Sequence, residues 1–186
     1  LEEPVEISYK GTNIYTCGPW CQGPALQQIL KLLETFDLKS LRHNSPNYVH
    51  TLVEASKLAF ADRHFYYGDP KFIEVPMDSL LSSSYTNQRR QLIKSKAWPT
   101  LPPAGNPYKN SGHGPYLKEE IGHYGTPAGS LDTSYVCVTD QSGNIFSSTP
   151  SDVAKDSPII PGTGLCPSSR GSQSWADPKH PSSVQP

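Results

Sequence analysis

Thr133 is the residue whose type and place in this chain best suit chemistry. It follows Leu131-Asp132 and opens the alternating run Thr133-Ser134-Tyr135-Val136-Cys137-Val138-Thr139, after a long stretch rich in proline and glycine. A threonine at the head of a strand is a β-branched residue in a favoured place, and by itself does nothing. If the bond between Asp132 and Thr133 is cut, the same residue carries both a hydroxyl nucleophile and a base, its own free α-amino group. That amine has a reference pKa of about 7.7–8.0, so a useful fraction is neutral near physiological pH. Before the cut the nitrogen is an amide and cannot take a proton.

No other pattern competes. A dinucleotide-binding glycine fingerprint, a phosphate loop, a His-Glu-x-x-His zinc motif and a Gly-x-Ser-x-Gly elbow are all absent. His43, His50, His64, His113, His123 and His180 are scattered without metal-ligand spacing. Cys17 and Cys21 could serve zinc together with a histidine, but no second Cys/His pair follows at finger-like spacing. With Cys137 and Cys166 they read as reduced, partly buried thiols, and no metal or cofactor is expected.

Composition narrows the partners. The chain has 186 residues, a net charge of -1 and a pI near 6.6, where a nucleic-acid binder would concentrate basic residues on one face. Arg89-Arg90 with Lys94 and Lys96 is a small cluster and reads as a solvated helix surface. No apolar run approaches the ~20 residues of a membrane span. The chain starts at Leu1 directly in strand-forming sequence, carries 19 prolines and reads as a fragment of a longer protein.

The elements that must position Thr133 are mixed. Val5–Tyr9 and Ile14–Cys17 read as two strands around a turn at Lys10–Asn13. Leu26, Ile29, Leu30 and Leu33 give a helix one apolar face. Ser45 as N-cap with Pro46 in the first turn starts a second helix, expected to end near Arg63 or His64. Short helices follow near Met77–Leu81 and from Ser83 to Ile93. The pattern then dissolves between Lys96 and Leu131, a length that is unusual inside a compact domain. From Thr133 the run pairs across a turn at Asp140-Gln141-Ser142-Gly143-Asn144 with Ile145–Thr149. Both hairpin faces carry apolar or small residues, so cover on each side is expected.

These segments resemble one family. Thr133 followed by Asp140-Gln141-Ser142-Gly143-Asn144 is similar to the start of the small subunit of γ-glutamyltransferases. Gln27–Glu34, Glu54–Arg63 and Gly68-Asp69-Pro70 resemble the closing part of their large subunit. Pro161-Gly162-Thr163-Gly164-Leu165 resembles their glycine-containing loop. The resemblance implies an α+β fold, here an incomplete part of the four-layer αββα sandwich of N-terminal-nucleophile hydrolases. It divides the chain into a large-subunit-like region (1–95), a linker ending at the cleavage point (96–132) and the start of a small-subunit-like region (133–186).

It also implies self-cleavage between Asp132 and Thr133, with Thr133 as nucleophile on a γ-glutamyl or related acyl amide. Ser151 stands where the family carries a second threonine. Ser168 and Ser169 replace an Asn-Asn pair ahead of Arg170, and Gln173 falls near an aspartate that grips the substrate ammonium. With Ser151, these four are the expected substrate-binding positions. Val153 replaces an asparagine that helps hold the glutamyl group. A hydrogen bond to a charged group is worth roughly 1.5–3 kcal/mol, so these changes weaken γ-glutamyl recognition and leave acylase-like chemistry open.

The expected partners are a glutathione-like or other amide, water or an amine acceptor, and the rest of the processed chain. No nucleic acid or membrane is expected. The compartment, cytoplasmic or periplasmic/secreted, stays open. The isolated piece is expected to be inactive. A non-catalytic scaffold relative is the alternative reading.

Overall fold

In the computed structural model the described residues are 2–108, 134–150, 157–167, 180, 181 and 183. The chain forms two compact units, Leu1–Glu120 with Lys179–Pro186, and Ile121–Pro178.

The first unit opens with an antiparallel pair, β1 (Val5–Tyr9) and β2 (Thr12–Thr16), in which Ile7 faces Ile14 and Tyr9 faces Thr12. The connection is tighter than the expected four residues. Lys10 (φ 47°) and Gly11 (φ 83°) are both left-handed, the geometry of a two-residue type I′ turn whose twist matches the strands it joins. Thr12 and Asn13 are thereby drawn into the ladder.

Helix α1 (Gly23–Leu33) carries Pro24 in its first turn, where a missing N–H costs nothing. Its far end is capped from another helix: the Arg90 guanidinium donates to Leu32 O (2.8 Å) and Lys31 O (2.7 Å). A cation on the last carbonyls of a helix is the favoured sign. Helix α2 (Pro46–Tyr66) begins as expected, with Tyr48 N donating to Ser45 Oγ at 3.1 Å, and runs to Tyr66. Helices α3 (Met77–Leu80) and α4 (Ser83–Arg90) follow, the latter capped by Ser82, whose Oγ accepts from Tyr85 N.

The core forms where α1 meets α2. Leu32, Leu33, Ala55, Leu58 and Ala59 make one cluster, and Ala25, Tyr66, Tyr67, Leu80, Tyr85 and Ala104 a second. The stripe expected of α1 is buried only in part. Leu33 is buried and Ile29 packs against its cluster, but Leu26 is exposed, whereas Gln27 and Gln28 are fully buried. Gln27 Nε2 donates to Val5 O (2.7 Å) and Ile14 O (3.0 Å), fastening α1 to both strands of the β1–β2 hairpin. On α2, Val49, Val53 and Phe60 are likewise exposed, while Thr51, Glu54 and Asp62 turn inward.

The second unit contains the hairpin of β3 (Val136–Thr139) and β4 (Ile145–Ser148), paired Val136 to Ser148 through Thr139 to Ile145. Among the described residues the expected cover of this hairpin is not seen: Val136, Val138, Ile145 and Phe146 are all exposed, and a two-stranded hairpin needs a further layer to bury its faces. No helix among the described residues is long and apolar enough to cross a membrane.

Candidate active site

The hairpin that leads away from Thr133 has a fixed register. Asp140 ties its turn: Oδ1 accepts from Ser142 N (2.9 Å) and Asn144 N (2.8 Å), and Oδ2 accepts from the Asn144 amide (2.7 Å). The Asn144 side chain, then its backbone, holds the Asp140 carboxyl below its ordinary value. Gly143 sits at φ 82°, a conformation that costs a residue without a β-carbon little. On one face Ser147 Oγ donates to Tyr135 Oη at 3.2 Å. At the open end Ser134 N donates to Pro150 O at 3.0 Å. The pairing thus continues two residues beyond β3 and β4, to the residues that adjoin Thr133 and Ser151 in the chain.

Asp132 and Thr133 themselves, and Ser151, Val153, Ser168, Ser169, Arg170 and Gln173, lie outside the described residues. The glycine-containing segment before Ser168 is described. Ile160 N donates to Leu165 O (2.9 Å), and Thr163 Oγ1 donates to Ile160 O (2.9 Å) and accepts from Leu165 N (3.1 Å). Gly162 (φ 79°) and Gly164 (φ 69°) permit that tight reversal.

A buried polar centre in the first unit was not anticipated from the sequence. Asp62 is fully buried on α2. Its Oδ1 takes the Arg89 guanidinium (2.9 Å) and Gly105 N (2.8 Å), and its Oδ2 takes the Gln28 amide (2.5 Å) and the Tyr85 hydroxyl (2.9 Å). Tyr67 Oη donates to Gln28 Oε1 at 3.3 Å, and Tyr66 Oη to Gly105 O at 2.7 Å. Burial pushes the Asp62 carboxyl up from its ordinary value, while Arg89, Gly105, Tyr85 and Gln28 pull it down. Four donors surround the two oxygens, so the carboxylate is the form this site satisfies. Burial likewise pushes the Tyr66 phenol up to about 12. These groups hold residues on α1, α2 and α4 and the segment through Gly105 to one another. The cluster Arg89-Arg90 is therefore not a solvated surface: Arg89 is 4% exposed and Arg90 caps α1. The clue was an aspartate inside an otherwise apolar helical run, together with the adjacent Gln27-Gln28.

A second buried acid, Glu54, is answered by Lys57 (2.8 Å) and Trp98 N (3.2 Å), which overcome the upward push of burial and leave its carboxyl below the usual range. An open cavity of about 850 Å³ lies beside α4, lined by Ser82, Tyr85, Gln88, Arg89, Gly105 and Asn106 among others. His64 is pushed down to about 4 by burial, with Arg63 and His180 adding to it, and its ring stands 6.5 Å from that of His180. Cys17, Cys137 and Cys166 are exposed and Cys21 half-buried, so most of the thiols are more open than expected. Among the described residues no three His, Cys, Asp or Glu side chains are grouped to hold a metal ion.

Likeness to solved structures puts this α+β segment among the N-terminal-nucleophile hydrolases. More narrowly, the chain belongs to the gamma-glutamyltranspeptidase family, whose model matches residues 1–186. It is 33% identical over 171 residues to the acylase ACY 1 proenzyme of Pseudomonas sp. (strain SE83), covering 89% of this chain and 26% of that protein. It is 31% identical over 189 residues to the glutathione hydrolase-like YwrD proenzyme of Bacillus subtilis (strain 168), covering 98% of this chain and 31% of the relative. The cephalosporin acylase from Bacillus halodurans superposes with a TM-score of 0.72 at 26% identity, over 99% of this chain and 29% of that one. The chain thus spans between a quarter and a third of the length of these proteins. The family resemblance read from the residues is borne out.

Proposed function

We propose that the protein to which this chain belongs is a self-processing amidohydrolase or acyltransferase with Thr133 as its N-terminal nucleophile. The observation that carries this reading is the hydrogen bond from Ser134 N to Pro150 O. It keeps the strand pairing intact up to the residue after Thr133, so a chain end created there would be anchored on a paired strand. Positioning of that kind replaces a separate histidine, since base and nucleophile share one residue.

In the maturation step the Thr133 hydroxyl adds to the Asp132 carbonyl. The C–N bond breaks, the threonine nitrogen leaves as an amine, and water opens the resulting ester. In turnover the free amine takes the hydroxyl proton as oxygen attacks the substrate amide, and returns it to the departing nitrogen. The acyl-enzyme ester then goes to water, giving an acid, or to an amine, giving a new amide. The two exposed faces of the β3–β4 hairpin suit a sandwich in which further layers cover it.

Relatives of both kinds, acylase and glutathione hydrolase-like, match at similar identity. Val153 and Gln173 stand where the family's asparagine and aspartate would hold a glutamyl group, so an acyl amide is at least as well supported as a γ-glutamyl one. Ser151, Ser168, Ser169 and Arg170 are the remaining polar positions for the substrate. Intact-mass analysis of the full-length protein should give two pieces, the second starting at Thr133, and Thr133→Ala should stay whole; an uncut wild type with full activity ends the proposal. The same two substitutions favour a second reading, a scaffold relative without turnover. An electrophilic amide-site probe separates the two, because only a working Thr133 takes the label.

A further inference from the structure

The connection between β2 and α1 folds back on itself and carries two thiols, Cys17 and Cys21, in one closed loop. Cys21 N donates to Gly18 O at 3.2 Å, closing a turn over Gly18-Pro19-Trp20. The head of α1 then returns against the end of β2, so closely that a β-carbon on Gly23 would stand 2.8 Å from Thr16 Cβ and 3.0 Å from Cys17 O. Cys21 Sγ donates to Gly18 O (3.3 Å) and accepts from Gly23 N (3.4 Å), the same glycine that abuts the Cys17 backbone, so both thiols belong to one closed loop. Cys17 is exposed and Cys21 half-buried.

We propose that Cys17 and Cys21 are a site of reversible thiol–disulfide exchange with low-molecular-weight disulfides. Cys17, open to solvent, is the point of entry. Its thiolate attacks the small disulfide, whose S–S bond breaks to release one thiol, leaving a mixed disulfide on Cys17. Cys21, held in the same closed loop, loses its proton to solvent and attacks Cys17 Sγ. The second small thiol leaves and an intramolecular bond closes. Two protein thiols are oxidised and one small disulfide is reduced to two thiols, so atoms and electrons balance. Burial, with Cys17 itself contributing, pushes the Cys21 thiol up, while the Gly23 N–H opposes it. That division suits an accessible attacking group and a reserved resolving one. The bond would staple the end of β2 to the head of α1, the helix whose Gln27 already holds both strands.

The test uses the full chain, reduced, freed of reductant, and exposed to oxidised glutathione as the probe disulfide. The mixture is then acid-quenched, alkylated and digested with trypsin. Both cysteines fall in one peptide, Gly11–Lys31, and the expected product is that peptide two hydrogens lighter with both alkylation sites lost. Cys137 and Cys166 should keep their label or carry a glutathione adduct. Cys21→Ser should stop at the mixed disulfide on Cys17, and Cys137→Ser with Cys166→Ser should close the ring unchanged. Closure should be faster in the folded chain than in urea. The proposal is overturned if both thiols stay alkylatable, if each carries its own adduct without closing, if Cys17 pairs with Cys137 or Cys166, or if urea does not slow closure.

Discussion

Replacing Asp62 by asparagine tests the buried centre, because it keeps the shape and removes the charge. Asp62 now accepts from Arg89 and Gly105 on one oxygen and from Gln28 and Tyr85 on the other. An asparagine placed there keeps one acceptor and turns an NH2 toward the other pair. The Tyr85 hydroxyl can rotate to accept from it. The Gln28 amide can accept only by flipping, which presents its own NH2 to the Tyr67 hydroxyl. The variant therefore weakens at least two charge-assisted bonds, worth roughly 1.5–3 kcal/mol each. It also leaves the Arg89 guanidinium buried without its counter-charge, and breaking such a pair costs about 3–5 kcal/mol. The terms overlap, and a loss of about 3–5 kcal/mol is expected, a large share of a typical domain's stability of about 5–15 kcal/mol. Urea unfolding followed by far-UV circular dichroism should show the midpoint fall with an unchanged slope. A loss under about 1 kcal/mol would refute the reasoning, since it would mean that the Asp62 carboxyl is already neutral and a carboxamide its near equivalent.

Three further outcomes follow from the same contacts. Gly105→Ala drives a methyl into Tyr85 Oη and to 2.7 Å from Arg89 Cδ, and should cost about 1–3 kcal/mol of overpacking in urea titration. Arg90→Met keeps the apolar stem but uncaps α1 at Leu32 O and Lys31 O; a loss of about 1–2 kcal/mol in the same assay is expected. His64 binds its proton near pH 4 in the folded chain but near 6.5 when unfolded. The unfolded state therefore holds more protons between those values, and stability is full above pH 6.5 and falls as pH drops toward about 4. The fall attributable to His64 is at most about 3 kcal/mol. Thermal melts across that range should flatten in His64→Gln, and an unaltered pH profile would count against the assignment.

Local signals in the sequence were read correctly where the physics is local. Ser45-Pro46 starts α2 because a side-chain oxygen and a fixed φ act within one turn, and Asp140 to Asn144 makes a turn because its carboxylate reaches only neighbouring donors. The family, too, was legible, in the order of Gln27–Glu34, Glu54–Arg63, Gly68-Asp69-Pro70 and the segment from Thr133 to Asn144. The buried face of α1 was legible only in part, at Ile29 and Leu33. Periodicity favoured Leu26 and overlooked Gln27 and Gln28, because a glutamine is buried only when acceptors and donors far along the chain meet it. Asp62 lies 34 residues from Gln28, and no local window contains both.

The sequence by itself determined where helices and turns begin and which family the chain belongs to, since those follow from neighbouring residues and their order. Only the tertiary structure decided which polar groups go inside, that Arg89 is an internal counter-ion and that Arg90 caps a distant helix. Each of these depends on partners that the fold brings within hydrogen-bonding distance, and the desolvation of a charge is tolerable only once such partners surround it.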